Sequence, residues 1–262
     1  MTFLEDVKKR EFIGQDIYSE TFLVTDKKNQ RFMAQVLYQY YDDYDKPSRY
    51  SLERTLYLNC HYTHPAILKG YDYSISGFGK EQRPTILYEY CPNGTLENCI
   101  QQLDNTKKLI NLFGIASGMN LLHQDNVLHR ELKSSNVLED ANYNPKIINI
   151  NFSGTVKSLE QIAKIHKFPQ HIAPETLMES EYTKSSEVYP YGALAYEILT
   201  NKKPFDDMTQ FQRMQKITNG ERPEIPDNFL ETVKKLIEDC WDQDPKKRPT
   251  FEEICKILRD PF

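Results

Sequence analysis

No apolar run in the 262 residues approaches the length of a membrane-spanning helix, and no C-x-x-C pair occurs. The first absence leaves no candidate for a spanning helix. The second excludes the usual zinc frameworks, because the five cysteines (Cys60, Cys91, Cys99, Cys240, Cys255) are scattered and no histidines stand at zinc spacing. Such a scattered, odd set suits a reducing compartment. Positive charge is not in excess either. A net charge of −5 argues against nucleic acid or an anionic membrane surface as partner. The opening "MTFLEDVKKREF" carries charges where a secretory signal needs apolar residues, so the expected location is cytoplasmic. Repeats and low-complexity linkers are also missing. What remains is 39% hydrophobic and 27% charged, an ordinary globular composition with length enough for a core.

The first third alternates β-branched and aromatic residues with polar ones. "REFIGQDIYSETFLVTDKKNQRFMAQVLYQY" predicts strands with a hairpin turn at "DKKNQ". "LYQYYDDYDKPSRY" reads as a solvated connection before a helix near residues 48–60, and two more strands are expected in "AILKGYDYSI" and "RPTILYEY". After "CPNGT" the pattern turns helical. Leu109, Leu112, Phe113, Ala116 and Met119 fall on one helical face, with Gly114 and Gly118 permitting close packing. "SSEVYPYGALAYEILTN" is apolar all round, as a buried helix should be, and Pro190 is expected in its first turn. Thr250 and Glu253 have capping-box spacing. Strands followed by helices predict an α+β chain of two lobes.

Several short stretches follow one another in a particular order: "EYCPNGTLE", "HRELKSSN" with "PKI" after it, "IAPE", "SSEVYPYGALAYEILTNKKPF" and "CWDQDPKKRPTFEEI". This order resembles the eukaryotic protein kinase domain, from about residue 10 to 258. The resemblance implies a small antiparallel β lobe over about 10–90 and a larger, mainly helical lobe over about 91–258. The form "HRELKSSN" resembles the tyrosine-kinase-like group of Ser/Thr kinases. Glu175 and Arg248 are then a buried ion pair bracing the large lobe, with His129 as a core anchor and Arg130 as an arm toward the activation segment.

Phosphoryl transfer requires a phosphate cradle, a lysine on the α/β-phosphates, metal ligands and a base that orients the hydroxyl. The cradle pattern falls on "GQDIYSET", where Gly14 survives, read as serving a strand turn. Asp16, Ser19 and Thr21 replace the rest, and Asp16, with Glu20 nearby, sets negative charge where phosphates should lie. Gln35 takes the lysine position and Met33 the place of a small residue against the adenine. The lysine's partner falls on Thr55, with Glu53 two residues away. Thirteen residues on from Asn136, Asn149 replaces the metal-binding Asp, so that "NIN" stands for D-F-G; a registration on Asn151, Phe152 and Ser153 also begins with Asn. Glu131 replaces the catalytic Asp, displaced by one methylene, while Lys133 and Asn136 are retained. Tyr88 occupies the gatekeeper position. No nearby Lys or Asp obviously takes over the missing roles.

The resemblance with these losses implies a pseudokinase, a catalytically inactive signalling regulator or scaffold. It would need neither cofactor nor metal, and its partners would be other signalling proteins, an active kinase among them. The alternative is an atypical active Ser/Thr kinase with Glu131 as base and ATP and Mg²⁺ as cofactors. A third reading has Gln35, Met33 and Tyr88 shape a pocket for a non-nucleotide ligand. Residues 152–172 are the expected switch and partner face, with Ser153, Thr155 and Ser158 open to phosphorylation, Arg130 to meet the phosphate, and Phe168 as an apolar contact.

Overall fold

In β3 (Arg31–Leu37) every residue after Arg31 is buried, as the central strand of a covered sheet requires. A computed structural model of the chain describes residues 6–38, 46–77, 83–152, 171–179, 182–227 and 229–259. With β1 (Lys8–Gln15), β2 (Ser19–Thr25), β4 (Gly70–Ser74) and β5 (Thr85–Glu89), β3 forms an antiparallel sheet in the order β1-β2-β3-β5-β4. The β2–β3 turn closes through Asp26, whose carboxylate accepts from the Lys28 and Gln30 amides, and Asn29 adopts the left-handed backbone the turn needs (φ 64°). One sheet face gathers Phe22, Val24, Phe32, Ala34, Val36 and Leu87 with Val7. The other, carrying Met33, Leu37, Ile86 and Tyr88, meets Leu52 and Leu56 of α1 (Lys46–His61). Residues 39–45 of the Tyr- and Asp-rich connection lie outside the described residues. So do 153–170, which hold Ser153, Thr155, Ser158 and Phe168.

Past the connection at 90–95 the chain becomes mainly helical: α2 (Leu96–Cys99), α3 (Asn105–Gln124), a small hairpin of β6 (Val137–Glu139) and β7 (Pro145–Ile147), α4 (Pro174–Glu179), α5 (Lys184–Thr200), α6 (Gln210–Thr218), α7 (Glu231–Cys240) and α8 (Phe251–Arg259). The expected α+β, two-lobed fold is the observed one. α5 is buried without interruption from Ser186 to Leu199. Pro190 departs from expectation: it lies at the seventh helical residue, not in the first turn. The helix runs through it although the Ser186 carbonyl loses its helical donor.

In α3 the buried face is rotated from the one anticipated. Lys108, Asn111, Leu112, Ile115, Ala116, Met119, Leu122 and His123 are buried, whereas Leu109 and Phe113 are only partly so. The reason is that polar members join the face: Lys108 Nζ donates to the Leu199 carbonyl at 3.0 Å, and Asn111 donates to Lys107 and Tyr143 carbonyls. A methyl group on Gly118 would stand 2.7 Å from Ile147 Cδ1, so the expected close packing is present. The Thr250–Glu253 capping box forms as well, with amide-to-side-chain distances of 2.7 and 3.3 Å. Arg248 grips Glu175 through both terminal nitrogens at 2.6 and 2.9 Å, its side chain fully buried. That is the expected brace.

Candidate catalytic and nucleotide site

The loop 129–136 is bolted to the large-lobe core by one carboxylate. Glu187, in the first turns of α5, accepts from the His129 amide at 3.1 Å, from the Arg130 amide and from His123 Nε2 at 2.9 Å. Arg130 is thereby held with a left-handed backbone (φ 71°). His129 is fully buried, and desolvation holds its imidazole below the usual range, hence neutral. Its Nε2 then donates to the Ile148 carbonyl at 2.9 Å while Nδ1 accepts from the Glu131 amide at 3.2 Å. This is the anchor that the sequence suggested.

From this base a chain of side-chain hydrogen bonds crosses between the lobes. Gln35 Nε2, on β3, donates to Ser19 Oγ at 2.9 Å and to Asn149 Oδ1 at 2.8 Å. Asn149 Nδ2 donates to Asn136 Oδ1 at 3.0 Å and to Asp16 Oδ2 at 3.1 Å. Asn136 Nδ2 in turn donates to the Glu131 carbonyl at 2.8 Å. Each amide thus satisfies the next, which a buried polar network requires. Asn149 and Asn151 both hold left-handed backbone (φ 63° and 62°), and Asn59 of α1 clasps the residue between them through the Ile150 amide and carbonyl at 3.1 and 3.0 Å.

Glu131 is buried and both its oxygens are taken. Oε1 accepts from Lys133 Nζ at 2.6 Å and Oε2 from the Tyr18 hydroxyl at 2.6 Å. Tyr18 comes from the β1–β2 loop, the stretch aligned with the phosphate cradle, and its ring lies 5.7 Å from that of Phe152 in the cluster containing Met33 and Tyr88. Desolvation, then the Glu131 carboxylate, hold its hydroxyl protonated far above the ordinary tyrosine range. Sequence reasoning missed Tyr18 and Asn59. The available signal for Tyr18 was a large ring inside a loop that ought to be small.

Other expected residues need adjustment. Gly14 does not serve a turn: it sits within β1 opposite Thr21, where the register slips between Phe12 and Gly14, and an added methyl would meet nothing within 4 Å. Asp16 lies beside Asn149, its Oδ2 accepting from Asn149 Nδ2 at 3.1 Å. Its Oδ1 accepts from the Tyr18 and Ser19 amides, both at 2.7 Å, which turns Oδ2 toward Asn149. Although the residue as a whole is exposed, desolvation of its inward carboxylate raises its pKa above the ordinary value despite these bonds. Glu20 instead faces Arg83 at 2.6 Å. Thr55 is buried where a partner for the lysine would stand, and among the described residues nothing hydrogen-bonds its hydroxyl. Met33 and Tyr88 are buried together, the Tyr88 hydroxyl likewise without a partner among the described residues.

The donor set is a poor fit for Mg²⁺, which takes oxygen ligands in near-octahedral array. Asn149 faces Asp16 and Asn136 with its amide nitrogen, and Glu131 is occupied on both oxygens. Among the described residues no group of three or more His, Cys, Asp or Glu side chains converges. Nor is any helix there long and apolar enough to cross a membrane.

The sequence pattern of the protein tyrosine and serine/threonine kinase family matches residues 7–258. The chain belongs to the protein kinase family. A probable serine/threonine-protein kinase of Dictyostelium discoideum is 34% identical over 76% of this chain and 15% of its own length. The dual specificity protein kinase shkC of the same organism is 35% identical over 67% of this chain and 37% of its own. Serine/threonine-protein kinase CTR1 of Arabidopsis thaliana is 32% identical over 67% of this chain and 22% of its own. The chain therefore spans well under half the length of these kinase relatives.

Proposed function

We propose that this kinase-family domain has given up phosphoryl transfer and acts by contact with other signalling proteins, an active kinase among them, in the cytoplasm. One observation carries the reading: the residues at the positions of lysine and metal ligand are bonded to each other, and the one at the position of the base is taken up by Tyr18 and Lys133. Gln35, Asn149 and Asn136 close on themselves, and Tyr18 caps Glu131. A nucleotide would have to break a network already satisfied, with neither the lysine charge nor the metal ligand to repay it. The nucleotide-site roles of Gly14, Gln35, Tyr88 and Asn149, and the catalytic remnants Glu131, Lys133 and Asn136, belong to this proposal. So does membership of the tyrosine-kinase-like group.

A second reading, an atypical active Ser/Thr kinase, is favoured by the relatives, whose names are those of kinases. It would use Glu131 as base and the Asp16 carboxylate beside Asn149 in place of the missing ligand. Thermal melting separates the two. A ligand at one hundred times its Kd adds about 2.7 kcal/mol of stability. Millimolar ATP with Mg²⁺ is expected to leave the midpoint unmoved. A rise with the nucleotide and metal together, abolished by Asp16→Asn, would establish the second reading instead.

A further inference from the structure

Tyr18 is a loop residue buried like a member of the core. It stands between β1 and β2, where a connection normally lies on the surface, yet it is only 6% exposed. Its ring sits in the cluster of Met33, Leu37, Tyr88 and Phe152, and its hydroxyl crosses from the small lobe to Glu131 Oε2 at 2.6 Å. In the protein kinase family the residue at the position of Glu131 accepts the proton of the substrate hydroxyl. The Tyr18 hydroxyl therefore donates to this carboxylate as a substrate hydroxyl would, from inside the chain.

Two contacts pin the β1–β2 loop across the cleft: Tyr18 to Glu131, and Asp16 Oδ2 to Asn149 Nδ2 at 3.1 Å. The loop also ties the two pins together. Asp16 Oδ1 accepts from the Tyr18 and Ser19 amides, both at 2.7 Å, and from the Ser19 hydroxyl at 3.0 Å. The Tyr18 carbonyl accepts from the Tyr38 amide at 2.8 Å, just past the end of β3. We propose that Tyr18 is a resident occupant of the substrate-hydroxyl seat, an autoinhibitory contact by which the β1–β2 loop closes the cleft as a lid, and that the vacated seat takes the phenol of a tyrosine presented by another protein.

The chemistry of the seat selects that ligand. Glu131 is buried, and one of its oxygens is already paired with Lys133 Nζ at 2.6 Å, so its charge is balanced. The second oxygen needs a donor, because a buried acceptor left bare is costly. A second cation would bring a desolvated charge with no partner of its own. A neutral hydroxyl supplies the donor and nothing more. The apolar wall adds the preference for a ring: the Tyr18 and Phe152 centroids lie 5.7 Å apart, their planes tilted by 55°. An aliphatic hydroxyl would reach Glu131 and leave that wall uncovered.

The test empties the seat and refills it. In Tyr18→Ala, 4-methylphenol, which is the tyrosine side chain itself, should raise the melting midpoint. It should bind about tenfold or more tighter than toluene, the same ring without the hydroxyl. Wild type, its seat filled, should respond to neither. Equal binding of the two compounds by Tyr18→Ala, no binding of 4-methylphenol, or the same response from wild type overturns the proposal. No nucleotide enters this measurement, so its outcome is separate from that of melting with ATP and Mg²⁺. If Tyr18→Ala fails to fold, Tyr18→Phe keeps the ring and removes only the hydroxyl. Amide hydrogen exchange at residues 18 and 19 should then quicken by about tenfold or more, and exchange at the wild-type rate overturns the lid.

Discussion

Two buried polar assemblies hold the loop 129–136 from opposite sides, and they are built from different materials. On the large-lobe side the holding groups are ionic, with Glu187 bolting His129 and Arg130, and Arg248 gripping Glu175 farther along the chain. On the small-lobe side they are mostly amides: Gln35, Asn149 and Asn136 linked in series, with Asp16 and Tyr18 folded in. Within the first assembly it is Glu187 that keeps the loop in place, while Arg248 and Glu175 brace the lobe elsewhere. In an active kinase the second would have business with a ligand. A charge aimed at a ligand is expensive to bury without it, whereas linked amides are at rest without one. At Gln35 and Asn149 the small-lobe side is joined by amides, while Glu131 with Lys133 and the Asp16 carboxylate keep charge beside them.

The largest effect expected from breaking this contrast is on the ionic side. Arg248→Ala strands Glu175 and should cost about 3–5 kcal/mol, read as a drop in denaturation midpoint. An unchanged midpoint would show that the brace does not bear on the fold. Half of this comparison was legible beforehand. The pair stood in "IAPE" and "KKRPT", and the strands and α5 followed from period and apolarity. Pro190 and the rotated face of α3 did not, because a helix locked all round can carry a proline, and buried Lys108 and Asn111 break an apolar count. The losses at Gln35 and Asn149 were visible as substitutions. What replaced them was not, since Tyr18 and Asp16 act across more than a hundred residues of chain, as the Tyr18–Glu131 separation of 113 shows.

A middling effect is expected where the two assemblies touch. Tyr18→Phe keeps the ring in its cluster and removes only the hydroxyl given to Glu131, a hydrogen bond to a charged group worth about 1.5–3 kcal/mol. The melting midpoint should fall, while Tyr18→Ala should fall further by opening the apolar cluster. Equal midpoints for wild type and Tyr18→Phe would mean that the cap on Glu131 is not formed in solution.

The smallest effect sharpens the contrast by restoring charge. Gln35→Lys, Glu131→Asp and Asn149→Asp together bring back the family's residues but are expected to give no phosphotransfer. Asn149→Asp sets a second carboxylate against Asp16, where a nitrogen 3.1 Å away now donates. Met33 remains in its cluster with Tyr18 and Tyr88. Radiolabelled phosphate appearing on a protein substrate from this triple variant alone would show that the pocket is open enough for nucleotide after all.

The left-handed turns at Asn149 and Asn151 bear on how such a site can change by mutation. Asparagine is among the few side chains that accept positive φ readily, because its short amide stays clear of the following carbonyl. Set against the family's D-F-G, Asn in the first position keeps the shape of aspartate, and Asn in the third keeps access to the region glycine favours. Between them, Ile150 is fixed by a clasp from Asn59 that touches only main-chain atoms, so it is indifferent to which side chain the middle residue carries. The bend of the chain and the electrical character of the site are therefore separately editable.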